Sequence, residues 1–192
     1  MLIREFAPVF TLADARAAGF TKDQVYSMLE RDQVERVGRG VYMRPKVLQP
    51  ALTALAAATV LRDEATLCLT SALVRHDLSD AIPLTSDIAL PRGTHRPVGL
   101  SHVGWHSFDP VTFSIGRQFA DAGGGVNVAI YSPERSIVDC FRLMHQEGSD
   151  VAYEALRRWL RRPGSTPAGL LKVAGDFPKA LPGIRHALEV LL

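Results

Sequence analysis

The sequence predicts an α+β protein, in which a small helix-turn-helix module precedes a β-rich middle and a helical C-terminal end. Three observations lead to this prediction. Two short amphipathic segments meet at Gly19, β-branched runs bounded by glycine and proline fill residues 87–131, and helical apolar spacing returns from Ser132 onward. With 192 residues and 47% hydrophobic composition, the chain can bury a substantial core.

Two short helices near the N-terminus carry clear start and stop signals. Thr11, with Asp14 three residues later, predicts a capping box, and Gly19 predicts the end of the first helix. Thr21 is a second N-cap, and the apolar residues after it recur at helical spacing until about Asp32. Two helices joined by so short a glycine turn predict a helix-turn-helix.

A β-hairpin follows the second helix. Val34 and Val37 form a short apolar run, Gly38-Arg39-Gly40 makes a turn, and the chain returns through Val41-Tyr42-Met43. A helix-turn-helix with such a hairpin is a winged helix, whose second helix enters a major groove of DNA while the wing touches the flanking backbone or minor groove. The sequence therefore predicts a winged helix-turn-helix DNA-binding domain over residues 1–48 and an α+β effector domain with C-terminal helices over residues 49–192.

The exposed side of the second helix and the wing supply the candidate DNA-binding residues. Lysine, arginine and glutamine donate to phosphates and base edges, whereas serine and tyrosine usually position the backbone. The wing is locally basic, which suits phosphate neutralisation. The alternatives are a winged helix used only for protein contact and a basic hairpin that is a solvated turn. The candidate positions are Lys22, Gln24, Tyr26, Ser27 and Arg31 in the helix, with Arg36, Arg39 and Arg44 around the wing.

The middle of the chain begins after a link at Arg44-Pro45-Lys46. The alanine-rich residues 51–61 predict a helix that bridges the two parts, and a short extended piece then leads into a helix capped by Thr70 or Ser71. The strands that follow have no convincing crossover helix between them, which favours a small, mostly antiparallel sheet. These strands are predicted at residues 88–90, 102–106 and 126–131.

A further helix is predicted by SPERSIVDCFR, residues 132–142. Ser132 is a good N-cap and Pro133 fits the first helical position. We interpret Arg135 and Asp139, one turn apart, as a surface or semi-buried ion pair rather than a catalytic dyad. Helices are also predicted to begin near residues 151, 166 and 181. The first of these carries four arginines, which form either a solvated face or a contact with DNA or a partner: Arg157, Arg158, Arg161 and Arg162.

Composition excludes several classes of protein. No apolar stretch is long enough to span a bilayer and the N-terminus lacks the features of a signal peptide, so we expect a cytoplasmic protein without membrane contact. Cys68 and Cys140 lie in apolar surroundings and are expected to be buried thiols. The net charge of +2 divides into basic ends and an acidic middle, which suits nucleic acid or an acidic partner at the ends.

No set of residues predicts catalysis, a metal site or a cofactor, so we expect no enzyme. A metal site would have to use His95, His102 and His106, but no cysteine or carboxylate completes a convincing ligand set. The Gly123-Gly124-Gly125 turn lacks the ending of a phosphate loop. A nuclease-like enzyme lacks the acid-x-Lys element beside its candidate carboxylates, which would be Asp77, Asp87, Glu134 and Asp139.

A ligand-responsive winged-helix transcription regulator is the remaining alternative. In such a protein a small molecule would bind the β-rich middle and bias the winged helix. Its pocket walls would be Trp105, Phe108, Phe113 and Phe119, although aromatic residues in a small α+β domain usually belong to the core.

Four segments carry a resemblance to a known family. GRGVYMRP, TSALVRHDL, IALPRGTHRP and SPERSIVDCFR occur in that order in antitoxins of the AbiEi family, which the chain resembles over roughly residues 8–147. Those proteins are the regulatory halves of bacterial type IV toxin–antitoxin systems. The resemblance implies the eight candidate positions as the DNA-facing residues and a structural role for SPERSIVDCFR.

The same resemblance implies the function. A member of this family is a cytoplasmic autorepressor that binds inverted repeats in double-stranded DNA of its own promoter. It also counters a nucleotidyltransferase-like toxin, with or without a stable complex, and it is not an enzyme. The operator sequence, the identity of the toxin and the oligomeric state stay open.

Overall fold

The computed structural model describes residues 7–192, which form an α+β fold with two sheets. The first sheet has three antiparallel strands in the order β1-β3-β2 and carries two helices. The β1 strand precedes the first helix and has no counterpart in the sequence prediction. The elements of this N-terminal module are β1 (Val9–Thr11), α1 (Leu12–Ala17), α2 (Lys22–Glu30), β2 (Glu35–Gly38) and β3 (Val41–Met43).

The second sheet has five strands in the order β6-β5-β4-β8-β7. Its first elements are a 3-10 turn (Pro50–Leu52), α3 (Thr53–Leu61), β4 (Thr66–Leu67) and α4 (Leu69–Arg75). The remaining strands are β5 (Ser86–Pro91), β6 (Val103–Phe108), β7 (Arg117–Asp121) and β8 (Asn127–Tyr131).

The prediction of a mostly antiparallel sheet is wrong for this second sheet, which is mixed. β4 pairs antiparallel with β5 but parallel with β8, and β5 pairs parallel with β6. β7, for which no strand is predicted from the sequence, pairs antiparallel with β8 in a hairpin. The error has a physical cause, because residues 92–102 carry the chain from β5 back to a parallel β6 without a crossover helix.

The start of α4 also differs from the prediction. Neither Thr70 nor Ser71 caps this helix, since its N-cap is Cys68, which makes no side-chain cap bond, and Leu69 has φ 47°. The two hydroxyls are used elsewhere. Thr70 Oγ1 donates to Glu147 at 2.9 Å, and Ser71 Oγ donates to Asp87 at 2.9 Å.

Two of the C-terminal helices begin where their capping residues predict. Ser132 Oγ accepts the N–H of Arg135 at 3.2 Å, and Thr166 Oγ1 accepts the N–H of Gly169 at 3.2 Å, each with proline at the next position. The helices are α5 (Pro133–Arg142), α6 (Met144–Glu147), α7 (Ser149–Leu160), α8 (Pro167–Ala174) and α9 (Leu181–Leu191).

Arg135 and Asp139 form an ion pair, but it is fully buried rather than at or near the surface. Arg135 Nε donates to Asp139 Oδ2 at 2.9 Å, and Arg142 donates to Oδ1 at 2.8 Å. The Arg135 guanidinium also donates to two backbone oxygens and lies 4.3 Å from the ring centroids of Tyr131 and Phe177. The cluster ties α5 to the strand end before it and to the α8–α9 connection.

Three buried clusters make up the core of the described chain. One lies between the second sheet and the C-terminal helices, and a small one lies inside the N-terminal module. The third joins the two parts, because Val9 and Val41 of the first sheet pack with α3 residues such as Leu55 and with Ile88 and Val128 of the second sheet. The link is further fixed where Gln49 N–H donates to Ala122 O at 2.7 Å.

Two other sequence expectations concern the thiols and the membrane. Cys68 and Cys140 are buried and free, as expected, and burial raises the pKa of both thiols. Within residues 7–192, no helix combines the length and the apolar character that crossing a membrane requires.

Candidate nucleic-acid interface

Two reciprocal capping boxes fix the helix pair. Thr11 Oγ1 accepts the N–H of Asp14 at 3.2 Å, and Asp14 Oδ2 accepts the N–H of Thr11 at 2.7 Å. Thr21 and Gln24 repeat the arrangement at 3.2 and 2.8 Å. Gly19, with φ 85°, supplies the left-handed residue that ends α1. The sequence pattern correctly predicts the capping box of Thr11 and Asp14, the Thr21 N-cap and the stop at Gly19. The return bond from Gln24 is not part of that prediction, and α2 ends at Glu30 rather than near Asp32.

The candidate side chains of α2 lie on its solvent side. Val25 is fully buried in the small core of the module, with Met28 and Leu29 packed against that core. The opposite side is open to contact. Lys22, Gln24, Tyr26 and Arg31 are exposed and Ser27 is half-buried.

Acidic residues divide this exposed side into two flanks. At 3.6 residues per turn, Asp23 and Glu30 lie along its centre, with Lys22 and Tyr26 to one side. The second flank carries Gln24, Ser27 and Arg31. Phosphates avoid carboxylates, so the two flanks rather than the centre are the surfaces suited to nucleic acid.

Gln24 has a double role, and the capping-box spacing of Thr21 and Gln24 is its signal in the sequence. Its Oε1 accepts the Thr21 N–H in the capping box, which leaves the side-chain amide N–H₂ free to donate. A bidentate contact with adenine needs both the oxygen and the amide group. In the geometry of the free protein, Gln24 can therefore donate a hydrogen bond to DNA but cannot make the bidentate contact with adenine.

Tyr26 of α2 lies near Lys22 of the same helix and near Tyr42 of the hairpin. Lys22 Nζ lies 5.1 Å from the ring centroid of Tyr26. Burial, reinforced by the neighbouring Tyr26, raises the pKa of the Tyr42 hydroxyl above its ordinary value. Tyr42 is buried and pairs with Arg36 across the hairpin, so it connects the end of this flank with strand β2 of the wing.

The wing is an irregular hairpin with exposed arginines. A bulge between Arg36 and Gly38 shifts the register of β2 against β3, and Gly40 with φ 72° closes the turn. Arg36 Nε donates to Gly38 O at 3.2 Å, which holds that side chain along the strand. Arg36 and Arg39 are both exposed.

The tip of the wing is clamped to the loop between β5 and β6. Arg39 N–H donates to Gly99 O at 3.0 Å, and a side chain at Gly38 would collide with Leu100. Gly99 has φ 87°, and a Cβ there would lie 2.5 Å from the Arg39 Cβ. The wing is therefore held in place by the second sheet while the Arg39 side chain stays in solvent. No local sequence signal could have revealed this contact.

Arg44 differs from the other candidates. It lies at the base of the hairpin, where its N–H donates to Pro8 O at 2.9 Å. Its side chain is half-buried, and its Nε is buried without a hydrogen-bond partner among the described residues. The candidate interface is consequently formed by α2 and the wing tip, with Arg44 set back from it.

The structure places the other candidate residues away from this surface. Phe108 and Phe113 are core residues, and Phe119 is 68% exposed on β7, so they do not form a pocket with Trp105. Arg158 binds Asp80 and Glu154, and Arg162 donates to His76 O, so these two arginines serve internal contacts. Within residues 7–192, no three His, Cys, Asp or Glu side chains are grouped as metal ligands would be.

A family model matches the N-terminal part of the chain. Residues 1–45 match the AbiEi antitoxin family of transcriptional regulators, a range that includes α1, α2 and the whole hairpin. No curated protein matches the chain.

The fold has a relative among solved structures. The crystal structure of the RV2827C protein from Mycobacterium tuberculosis is similar with a TM-score of 0.55 and 16% identity, over 98% of this chain and 77% of that one. At this identity the likeness concerns the fold alone. The AbiEi resemblance is thus confirmed over residues 1–45, which match the model of the AbiEi family of antitoxin transcriptional regulators.

Proposed function

We propose that the protein is a DNA-binding transcriptional regulator whose N-terminal module is a winged helix. One observation carries the proposal: the matched segment holds α2 and the wing side by side, with four exposed cations that form no ion pair within residues 7–192. Unpaired cations on adjacent elements are what phosphate neutralisation requires. These cations are Lys22, Arg31, Arg36 and Arg39.

The two elements divide the work of recognition. The flank of Gln24 and Ser27 faces base edges, whereas Arg39 at the wing tip supplies mainly backbone or minor-groove affinity. Tyr26 and Arg44 position the module, by contact with the wing and at the base of the hairpin. The target is the protein's own promoter, and an inverted repeat there would be bound by two copies of so small a module.

Fluorescence anisotropy with the upstream DNA of the gene tests this proposal. Affinity is expected to fall as salt rises, because bound cations release counterions from DNA. Arg39→Gln should weaken binding to most sequences alike, and Gln24→Ala should change the ranking of sequences. Salt-independent binding, or no preference for the upstream DNA over a shuffled duplex, would contradict the proposal.

We further propose that the protein is the antitoxin of a type IV system and counters a nucleotidyltransferase-like toxin. The support is the description of the matched family, together with a second unit that has a large core of its own. In this proposal residues 1–48 repress transcription and residues 49–192 neutralise the toxin. The two units act on different targets even though they share a buried cluster.

Co-expression with the toxin from the adjacent reading frame tests this division in the full-length chain. A Lys22→Gln, Arg31→Gln, Arg39→Gln triple variant should lose repression but keep growth protection, because all three side chains are exposed on the N-terminal module. Equal protein levels by immunoblot provide the control. If the triple variant lost both DNA binding and growth protection, protection would depend on repression, which would favour a regulator without antitoxin activity.

A further inference from the structure

A cleft of about 640 Å³ lies between the wing and the second sheet. Its walls come from β2 and β3 of the hairpin, from the start of α3, from α4, and from the two segments at residues 83–86 and 100–103. The volume falls within the range of small-molecule sites. The wing strand is therefore one wall of a cavity large enough for a ligand.

The cleft has the mixed lining that ligand sites usually show. Its apolar walls include Met43, Leu52, Val74 and Leu100, of which Leu52 and Leu100 are buried. Serine and threonine hydroxyls interrupt this apolar surface, including that of Ser86. Apolar walls with a few polar groups suit a compact organic molecule rather than a free inorganic ion.

The charges of the cleft favour an anion. Arg36, Arg75 and His102 are among the residues that line it, together with a single acidic residue, Glu35. Neither arginine forms an ion pair within the described part of the chain. Arg36 uses its Nε for Gly38 O, and its two terminal nitrogens are left to bind an acidic group in the bidentate manner typical of arginine.

We propose that the cleft binds a small amphipathic organic acid, with its apolar body against α3 and α4 and its acid group on Arg36 and Arg75. This inference rests on the proposed function, because Arg36 is also one of the cations assigned to DNA phosphates. A guanidinium that is paired with a ligand carboxylate or sulfonate loses most of its attraction for phosphate. Occupancy of the cleft therefore weakens DNA binding and makes the protein a ligand-released repressor.

Thermodynamic linkage requires that the coupling between ligand binding and DNA binding is reciprocal. If the ligand lowers DNA affinity by some factor, DNA lowers ligand affinity by the same factor. We expect a reduction of roughly fivefold or more, the lower end of typical coupling between two sites. The hydrogen bond between Arg39 and Gly99 connects the cleft to the wing tip, because the β5–β6 loop that holds the wing tip also contributes Leu100 to the cleft.

Titration of the full-length protein with 8-anilinonaphthalene-1-sulfonate tests the site, since this probe joins an aromatic body to one acid group. Saturable binding of one probe per chain is expected, and N-phenyl-1-naphthylamine, which lacks the sulfonate, should bind more weakly. Arg75→Gln should reduce probe affinity at least about tenfold, as loss of a charge-assisted bond does. Arg92→Gln, an exposed arginine outside the cleft, should leave it unchanged.

DNA anisotropy at saturating probe tests the coupling. Weaker DNA binding by wild type, and restored binding in Arg75→Gln at the same probe concentration, would support the inference. Unsaturable probe binding, equal binding of the neutral analogue, no effect of Arg75→Gln, or DNA affinity unchanged by the probe would each overturn it. If the chain without probe binds no DNA, the proposed function and the coupling fail together, and the probe titration still decides whether the site exists.

Discussion

The N-terminal module and the C-terminal helices are stabilised by hydrophobic cores of very different size. The helices pack with the second sheet around a large cluster that includes Leu156, Trp159 and the fully buried Arg135–Asp139 pair. Among residues 7–192, the module's own cluster has six buried members, which are Phe10, Ala15, Phe20, Val25, Val34 and Tyr42.

This difference shows how a small module can present a rigid surface. Few buried side chains contribute little hydrophobic stabilisation. The module compensates through its sheet, since Val9 and Val41 pack into the shared cluster and Arg39 is clamped at Gly99. The second sheet and the C-terminal helices, here called the body, therefore supply stability and position, while the exposed side chains of α2 and the wing stay free for contact.

The largest expected effect comes from a substitution that disrupts the core of the body. Asp139→Ala leaves the buried Arg135 guanidinium without its carboxylate, so the free energy of unfolding should fall by about 3–5 kcal/mol in urea titration. Glu154→Ala is the matched control, because Glu154 also accepts from two arginines, Arg157 and Arg158, but at the surface. Its effect should be small. Equal losses in the two variants would contradict the burial assigned to Asp139.

The second expected effect comes from a substitution that disrupts the contact between the body and the wing. Gly99→Ala places a Cβ against Arg39, whereas Gly93→Ala, in the same loop with φ 94°, meets nothing within 4 Å. Left-handed backbone costs alanine about 1–2 kcal/mol at either site. Only Gly99→Ala should also weaken DNA binding, although it removes no DNA-facing side chain. Thermal melts and DNA anisotropy of both variants would check this, and equal DNA affinities would show that the clamp does not position the wing.

The smallest expected effect is a pH dependence within the body. His76 Nε2 donates to Tyr131 O at 2.7 Å, and burial, reinforced by Arg162 and Arg75, lowers the pKa of this imidazole below its ordinary value. Below about pH 6.5 His76 is therefore protonated more readily in the unfolded chain than in the folded chain. As the pH falls, this group lowers the free energy of unfolding by at most about 1.4 kcal/mol per pH unit. His76→Gln should lose this component in urea titrations at pH 7 and pH 5.5. An unchanged pH dependence would remove His76 as its source.

The local parts of this fold could be predicted from the sequence. Thr11, Thr21, Ser132 and Thr166 all start helices, because a side-chain cap acts within three residues and leaves its pattern in the sequence. The long-range parts could not. The parallel pairing of β4 with β8 joins Thr66 to Ala129, and no local pattern records such a partner.

The candidate site divides in the same way. The exposed positions of α2 follow from its helical period, and the hairpin follows from its glycine turn. The engagement of the Gln24 oxygen is missing from the prediction although Thr21 and Gln24 stand at capping-box spacing, and no local pattern marks Arg44 as half-buried. The clamp at Gly99 and the cleft beside the wing arise only when the β5–β6 loop meets the hairpin.

The most direct test of the central claim is the salt dependence of DNA binding in three matched variants. Arg31→Gln and Arg39→Gln each remove an exposed cation from the proposed interface, and Arg92→Gln removes one elsewhere. The slope of log K against log salt should fall in magnitude by about one for each of the first two and stay at the wild-type value for the third. Wild-type slopes in all three variants, or an equal loss in Arg92→Gln, would contradict the assignment of DNA binding to α2 and the wing.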